Sequence, residues 1–372
     1  MHVILQAPGS CIAFGLPLSN MKYNDKFIED LIPLILDADD HWWQSHLATL
    51  AIVSQGWLYY VRKRLYACPD IRTVDAARKL ANTLEENEYL GWMVSGIILL
   101  PGLRNEPALR LGGGIKAIRM LLGLEGLRKI TIGGDINRCL GLVGNPEGVE
   151  ELQIRGQREL GWPTTVEWDE RLTFGFPRLK KMALREIDLD VMWPTVGHPA
   201  SFTELILEDV AIVGGRLTQM LNGAQRLRCL HISGSDMVNE EAKLKEVLRS
   251  CAVECLHYEV RKTSGRWNPF SDLGPEGGRT VRCLHLEGHL LDSGILDTLQ
   301  EVFWNVEELV VSGRTVNVLA REWAELLSSG GLSSLKRIGL PWGTNKPPFV
   351  KWNKTEEEAI LVEFVKRKLI VM

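Results

Sequence analysis

The sequence predicts an α/β fold in which a small all-helical module precedes a repeat solenoid. A six-residue apolar pattern recurs ten times between residues 94 and 340, and stretches with helical periodicity lie between many of the copies. Residues 23–90 do not follow this pattern and contain helical stretches of their own. With 372 residues, of which 45% are hydrophobic, the chain has enough apolar material to bury a core in both parts.

Composition and charge exclude several classes of function. The 43 Lys and Arg residues are balanced by 47 Asp and Glu residues, so no excess of positive charge favours nucleic acid. No apolar run reaches the roughly 18 residues that a membrane span needs. The seven cysteines are odd in number and widely spaced, which favours a reducing compartment. We therefore expect a cytoplasmic or nuclear protein that binds neither nucleic acid nor a membrane.

The segment before the repeats is predicted to be helical. Residues 1–22, broken by glycine and proline, are interpreted as a loose N-terminal arm. Helical segments follow at 27–36, 47–65 and 73–90. We assign residues 23–68 to a helical module and residues 69–92 to a linking helix. Pro33 lies inside the first segment and is expected to kink or shorten it, because proline lacks the backbone donor.

The repeated pattern consists of an apolar residue, two variable residues, an apolar residue, one variable residue and an apolar residue. Its alternating end predicts a short strand with apolar side chains inward and variable ones outward. The copies are 22 to 33 residues apart, and the helical periodicity between them predicts a solenoid over 93–354 with about ten irregular repeats. The central apolar residues are Ile97, Ile130, Leu152, Met182, Leu205, Leu230, Leu256, Leu284, Leu309 and Ile338.

An ordinary parallel α/β sheet would show a similar alternation of strands and helices. The solenoid is favoured because the same six-residue frame recurs each time and no glycine-rich phosphate fingerprint follows any strand. After the last repeat, Thr355 and Glu358 have the spacing of a capping box, and a basic run ends the segment. Residues 355–372 are therefore predicted to form a C-terminal capping helix.

Two resemblances follow from these residues. The repeat length is that of leucine-rich repeats, which form a horseshoe with parallel strands on the concave side and helices on the convex side. Residues 27–36 (Phe-Ile-Glu-Asp-Leu-Ile-Pro-Leu-Ile-Leu) and residues 47–57 (Leu-Ala-Thr-Leu-Ala-Ile-Val-Ser-Gln-Gly-Trp) resemble an F-box. The chain is most similar to the F-box-like, leucine-rich-repeat proteins of mushroom-forming fungi, although Phe27 and Ile28 replace the usual Leu-Pro.

The resemblance implies a substrate-recognition subunit of a Skp1–cullin–F-box E3 ubiquitin ligase. The module would bind the adaptor Skp1 and, through it, the cullin, while the repeats would hold a protein target for ubiquitin-dependent degradation. We expect Leu34, Leu50 and Leu58 to point inward. The alternative is a leucine-rich-repeat interaction scaffold that no longer binds Skp1. The residues expected to bind Skp1 are Phe27, Ile28, Leu31, Ile35, Leu47, Val53 and Trp57.

The outward positions of the repeats contain a distinctive motif. Cys-Leu-His occurs at 229–231, 255–257 and 283–285, and adjacent parallel strands lie about 4.8 Å apart, so cysteines and histidines should form two rows. Such rows can bind zinc, but a flat row does not easily converge on a tetrahedral ion, and repeat duplication alone would copy the motif. We therefore predict a target-binding face and no metal site. Its residues are Cys229, His231, Cys255, His257, Glu259, Cys283, His285 and Glu287.

The sequence contains no motif for catalysis or for a cofactor. It lacks a nucleophile elbow, a Walker loop and a His-Glu-x-x-His helix, so we expect a protein that is not an enzyme. A metalloprotein built on the cysteine and histidine rows remains a third hypothesis. Tryptophans in the segments between strands are candidate anchors for the target, because tryptophan is enriched at binding hot spots. They are Trp162, Trp168, Trp193, Trp267, Trp342 and Trp352.

Overall fold

The structure, a computed structural model, divides the chain into two compact units, Met1–Arg64 and Leu65–Met372. The expected N-terminal arm lies outside the described residues, as do the side chains of Phe27 and Ile28. The described residues are 25–38, 42–100, 113–134, 136–156, 164–191, 201–221, 226–261, 268–288, 294–312, 318–340 and 352–372.

The first unit is built from α1 (Asp25–Asp37), α2 (Gln44–Ala51) and most of α3 (Gln55–Ala67). The predicted second helix is interrupted after Ala51, and α3 restarts where the Ser54 hydroxyl accepts a hydrogen bond from the Trp57 amide at 3.3 Å. The prediction that Pro33 shortens the first helix is wrong, because α1 continues to Asp37. The small core consists of Ile32, Leu36, Leu47 and Val61.

The second unit begins with a short strand and two helices. Strand β1 (Asp70–Ile71) is followed by α4 (Val74–Glu86) and α5 (Glu88–Gly91). The predicted linking helix over 69–92 is therefore two helices. Its apolar residues Ala77, Ala81 and Leu84 are buried in the same core as the repeats, so this segment is the first layer of the solenoid.

The main sheet has twelve parallel strands arranged in the order of the sequence, apart from strands assigned to a second sheet. The central residues of all ten predicted strands are paired in register with their neighbours. Strand β1 and strand β15 (Ile370–Val371) extend the two edges and were not predicted. The ten predicted strands are β2 (Gly96–Leu99), β3 (Lys129–Gly133), β4 (Glu151–Arg155), β6 (Lys181–Arg185), β8 (Glu204–Glu208), β10 (Cys229–Gly234), β11 (Cys255–Val260), β12 (Cys283–Gly288), β13 (Glu308–Ser312) and β14 (Arg337–Gly339).

A second parallel sheet was not predicted. It consists of β5 (Thr164–Trp168), β7 (Ile187–Val191) and β9 (Ala211–Gly214). The chain passes from β6 to β7 through Glu186 at φ 55°, and from β8 to β9 through Asp209 at φ 50°. This left-handed conformation is rare for residues with a side chain, and it turns the chain sharply from one sheet into the other.

Helices alternate with the strands, as the helical periodicity between the repeats predicted. Their apolar residues share one buried core with the inward residues of the strands. No helix in the described part of the chain is long and apolar enough to cross a membrane. The helices are α6 (Gly113–Leu122), α7 (Ile136–Leu140), α8 (Glu170–Phe174), α9 (Leu217–Met220), α10 (Met237–Ser250), α11 (Gly294–Val302) and α12 (Ala320–Ser328), with a 3-10 turn at Pro146–Gly148.

The last helix, α13 (Lys354–Arg367), packs on the final repeat. Its capping box is formed by Asn353 and Glu356 rather than by Thr355 and Glu358. The Asn353 side chain accepts from the Glu356 amide at 3.0 Å, and the Glu356 carboxylate accepts from the Asn353 amide at 2.8 Å. At its other end Arg367 donates to the carbonyl of Gly331 at 2.7 Å, which ties the helix to the preceding loop.

Candidate functional site

The repeated Cys-Leu-His motif forms two rows of side chains on adjacent strands. Cys229 pairs with Cys255, and Cys255 with Cys283; the histidines two positions later pair in the same way. We call this surface of β10, β11 and β12 the ladder face. The rings of His231 and His257 stack with centroids 4.0 Å apart, and the centroids of His257 and His285 are 4.2 Å apart. The register predicted from the sequence is confirmed.

Alternation along each strand explains why these side chains face outward. The leucines between each Cys and His (Leu230, Leu256 and Leu284) are at most 2% exposed and belong to the core. Side chains on either side of a buried strand residue point to the opposite face of the sheet. The thiols and imidazoles are therefore half-buried on the ladder face.

A cleft of about 280 Å³ lies on the ladder face. Both rows line it, and Glu204, Glu308 and Val310 of the neighbouring strands border it. Its walls combine thiols, imidazoles, carboxylates and apolar side chains. A surface of this mixed composition suits contact with a polypeptide or coordination of a metal.

Burial determines the charge state of two of the histidines, His231 and His257. Burial, together with the neighbouring imidazoles of His231 and His285, lowers the pKa of His257 to about 3. Burial also lowers the pKa of His231, although Glu259 and Glu208 oppose the shift. Both rings are therefore neutral at pH 7.

The thiols of Cys255 and Cys283 are protonated at the same pH. Burial and the neighbouring Cys255 raise the pKa of Cys283 to about 11, and burial raises the pKa of Cys255. A cysteine nucleophile requires a lowered thiol pKa, so these two cysteines lack the activation that catalysis needs. Cys229, Cys255 and Cys283 form no disulfide.

An arginine that the sequence analysis did not identify organises one end of the ladder face. Arg261 binds Glu208 at 2.9 Å, Asp209 at 3.0 Å and Glu259 at 3.2 Å. Glu259, predicted to contact a target, is therefore held in an ion pair. Nothing in the repeat pattern indicated this, because Arg261 follows β11 and lies outside the repeated frame.

Glu287 differs from Glu259 although it occupies the equivalent position on the next strand. Its carboxylate lies 3.8 Å from His257 Nε2, which is too long for a hydrogen bond. His285 shares a hydrogen bond with Ser312 through Nε2 at 3.0 Å. The two histidines and Glu287 each offer one ligand atom, and these atoms lie within 4.8 Å of one another.

The residues predicted to bind Skp1 differ in their exposure in the first unit. Leu31, Ile35 and Val53 are exposed. Leu47, in contrast, is buried in the small core, so the expectation that it faces a partner is wrong. Trp57 is half-buried and packs against that core.

Three further leucines of this unit were expected to point inward. Leu34 is instead 65% exposed, whereas Leu50 and Leu58 are half-buried. Ile52, at the break between α2 and α3, was not singled out from the sequence and is 84% exposed. The structure thus adds two large apolar side chains to the exposed surface, Leu34 on α1 and Ile52 in the turn between α2 and α3.

The tryptophans proposed as anchors are not free where the structure describes them. Trp168 lies in β5 and is 2% exposed, and Trp352 is 4% exposed. Both belong to the solenoid core, which corrects their assignment to a target-binding rim. The remaining four, Trp162, Trp193, Trp267 and Trp342, lie outside the described residues.

Comparison of the chain with protein-family models and with curated proteins finds no match.

Proposed function

We propose that the protein is the substrate-recognition subunit of a Skp1–cullin–F-box E3 ubiquitin ligase that acts in the cytoplasm or nucleus. The observation that carries this proposal is the apolar surface of the first unit. Leu31, Leu34 and Ile35 of α1 are exposed, as are Ile52 and Val53 at the end of α2. An exposed apolar surface of this kind is typical of a protein interface.

The spacing of the exposed residues supports binding in a groove. Leu31 lies three residues before Leu34 and four before Ile35, so the three side chains share one side of the helix. Amphipathic helices dock into apolar grooves through side chains at these intervals. The buried core of the unit is small, and coverage by a partner would remove further apolar surface from water.

In this proposal the solenoid holds the protein target on its ladder face. The cleft between the cysteine and histidine rows offers a half-buried surface on a rigid sheet. Repeat proteins commonly bind partners on the strand surface that the stacked units share. The protein contributes binding and no catalytic residue, and it needs no cofactor for this role.

Capture by purified Skp1 tests the proposal. We expect the wild-type chain to bind and the double variant Leu31→Ala with Val53→Ala to lose at least about tenfold in affinity, as interface anchors do. The control is Trp92→Ala, which removes an 88% exposed side chain from the second unit and should leave affinity unchanged.

Two results would overturn the proposal. One is absence of Skp1 binding by the wild-type chain at micromolar concentrations, which would favour a repeat scaffold independent of the ligase. The other is equal binding by the wild type and the Leu31/Val53 double variant. Thermal unfolding of both chains ensures that the variant is folded, since exposed residues contribute little to stability.

A further inference from the structure

We propose that His257, His285 and Glu287 form a binding site for a divalent first-row transition metal ion, with Zn²⁺ as the best match to these ligands. The site is independent of the proposed Skp1 interaction. It also differs from the cysteine and histidine rows considered from the sequence, because its third ligand is a carboxylate and none of its ligands is a thiol.

The distances fit a tetrahedral ion after small side-chain movements. Zinc binds imidazole nitrogen and carboxylate oxygen at about 2.1 Å, so two ligands of one tetrahedral ion lie roughly 3.4 Å apart. His257 Nε2 and Glu287 Oε2 are already 3.8 Å apart, and all three ligand atoms lie within 4.8 Å of one another. Each gap needs to close by at most about 1.4 Å, which rotation of the side chains supplies.

Glu208, Glu259 and Glu287 occupy the same outward position on neighbouring strands, and Glu287 is the one for which the described residues show no Lys or Arg partner. Glu208 and Glu259, at equivalent or nearby positions, both bind Arg261. No ion pair between Glu287 and a Lys or Arg is found among the described residues, and the side chain beside it is the imidazole of His257, with Nε2 at 3.8 Å. A metal ion would neutralise this carboxylate, which lies beside the half-buried imidazole of His257.

The histidines have the features expected of ligands. His257 Nε2 is buried and has no hydrogen-bond partner among the described residues. His285 shares a hydrogen bond with Ser312 through Nε2 at 3.0 Å, which orients its ring. A hydrogen bond that fixes the orientation of the ring is typical of ligating histidines.

The rigid sheet fixes the ligand positions. His285 and Glu287 are two residues apart on β12, so they lie on the same face, and His257 is the direct neighbour of His285 on β11. Three ligands leave at least one coordination position of the ion open. That position is accessible to water or to a donor group of a bound molecule.

Metal titration of the full chain tests the site. We expect one Zn²⁺ per chain in competition with a chromophoric chelator. Glu287→Gln and His257→Gln should each weaken binding at least tenfold, since even the loss of groups behind a ligand costs roughly 10–100-fold. Glu276→Gln is the matched control, because it makes the same substitution at an 83% exposed carboxylate outside the ladder face, and it should leave affinity unchanged.

Cobalt spectroscopy distinguishes this site from the thiol row. Co²⁺ bound to two imidazoles and a carboxylate gives d–d bands without a thiolate charge-transfer band.

The proposal is overturned if the wild-type chain binds no Zn²⁺ at micromolar concentrations, if Cys255→Ser abolishes binding while Glu287→Gln does not, or if a thiolate band appears. Circular dichroism of Glu287→Gln, an isosteric change at a half-buried position, separates loss of the site from loss of the fold.

Discussion

Arg261 and Glu208 form an ion pair at 2.9 Å although 53 residues separate them in the sequence. The same guanidinium binds Asp209, whose backbone turns the chain from β8 into β9 at positive φ. Asp209 also accepts a hydrogen bond from the Ser235 amide at 3.0 Å. Arg261 thus connects three consecutive strands of the main sheet to the corner that leads into the second sheet.

This ion pair predicts a pH-dependent contribution to stability. Burial alone would raise the pKa of Glu208, but the hydrogen bond from Arg261 and the charges of Arg185 and Arg261 outweigh burial and lower the pKa. A carboxylate with a lowered folded-state pKa stabilises the fold above its unfolded pKa of about 4.3, and this stabilisation is lost as the pH falls. We expect Glu208→Gln to cost about 1 kcal/mol at pH 7, because Arg261 is partly exposed.

The measurement is urea unfolding of the wild type and Glu208→Gln from pH 7 down to pH 3. The difference between the two chains should shrink below about pH 4.3, where Glu208 protonates in the unfolded chain. Glu276→Gln serves as the control, since Glu276 is 83% exposed in its pair with Arg279, and it should show no such trend. A difference in stability between the wild type and Glu208→Gln that stays constant over this pH range would contradict the lowered pKa of Glu208.

A second ion pair is buried in the solenoid and predicts a larger effect. Lys243 lies 2.6 Å from Glu240 on α10, both side chains are almost inaccessible, and Lys243 also donates to the carbonyl of Val210. Lys243→Met would leave the Glu240 carboxylate buried without its cation, at a cost of about 3–5 kcal/mol. Adding Glu240→Leu should recover much of this loss, because replacing both partners with apolar groups removes the unpaired charge.

Chemical denaturation of the two single variants and the double variant measures this coupling. The interaction energy follows from the double-mutant cycle. Equal stability of the wild type and Lys243→Met would contradict the importance of the pair.

Replacing two leucines of the first unit with alanine is expected to affect stability very differently. Leu47→Ala should destabilise this unit by about 2–5 kcal/mol, because Leu47 is 4% exposed and packs in a small core. Leu34→Ala should change stability by less than about 0.5 kcal/mol, because its side chain is largely in solvent. Hydrogen exchange of peptides from residues 25–64 measures both effects, and strong loss of protection in the Leu34 variant would contradict the structure.

The structure places Asn353 at the N-cap of the C-terminal helix. Asn353→Ala should cost about 1 kcal/mol, because it removes the acceptor for the Glu356 amide. Thr355→Ala, at the cap position inferred from the sequence, should have almost no effect, since Thr355 is exposed inside the first turn of α13. Thermal unfolding compares the two variants, and the reverse order of stability would restore the sequence-based assignment.

The repeat pattern predicted the main sheet well because each repeat contacts mainly its neighbours. Its central apolar residues gave the register of ten strands, including the alignment of Cys255 with Cys283. The second sheet was missed although Ile187-Asp-Leu-Asp-Val191 alternates as a strand should. Strand β7 follows β6 after a single residue, Glu186, which has a positive φ. A glutamate at this position does not indicate from the sequence that the chain turns there.

The sequence alone determined the architecture, namely the helical module, the ten parallel strands and the outward rows of Cys and His. Local periodicity is sufficient for these features, because it records which side chains the stacked repeats bury. Only the tertiary structure decided that Leu47 is buried while Leu34 is exposed, and that Glu259 is paired with Arg261 while Glu287 is not. The burial of Leu47 depends on packing among three helices, and Arg261 is held beside Glu259 by Glu208 and Asp209, more than 50 residues earlier in the chain. No periodicity within a single repeat can encode either arrangement.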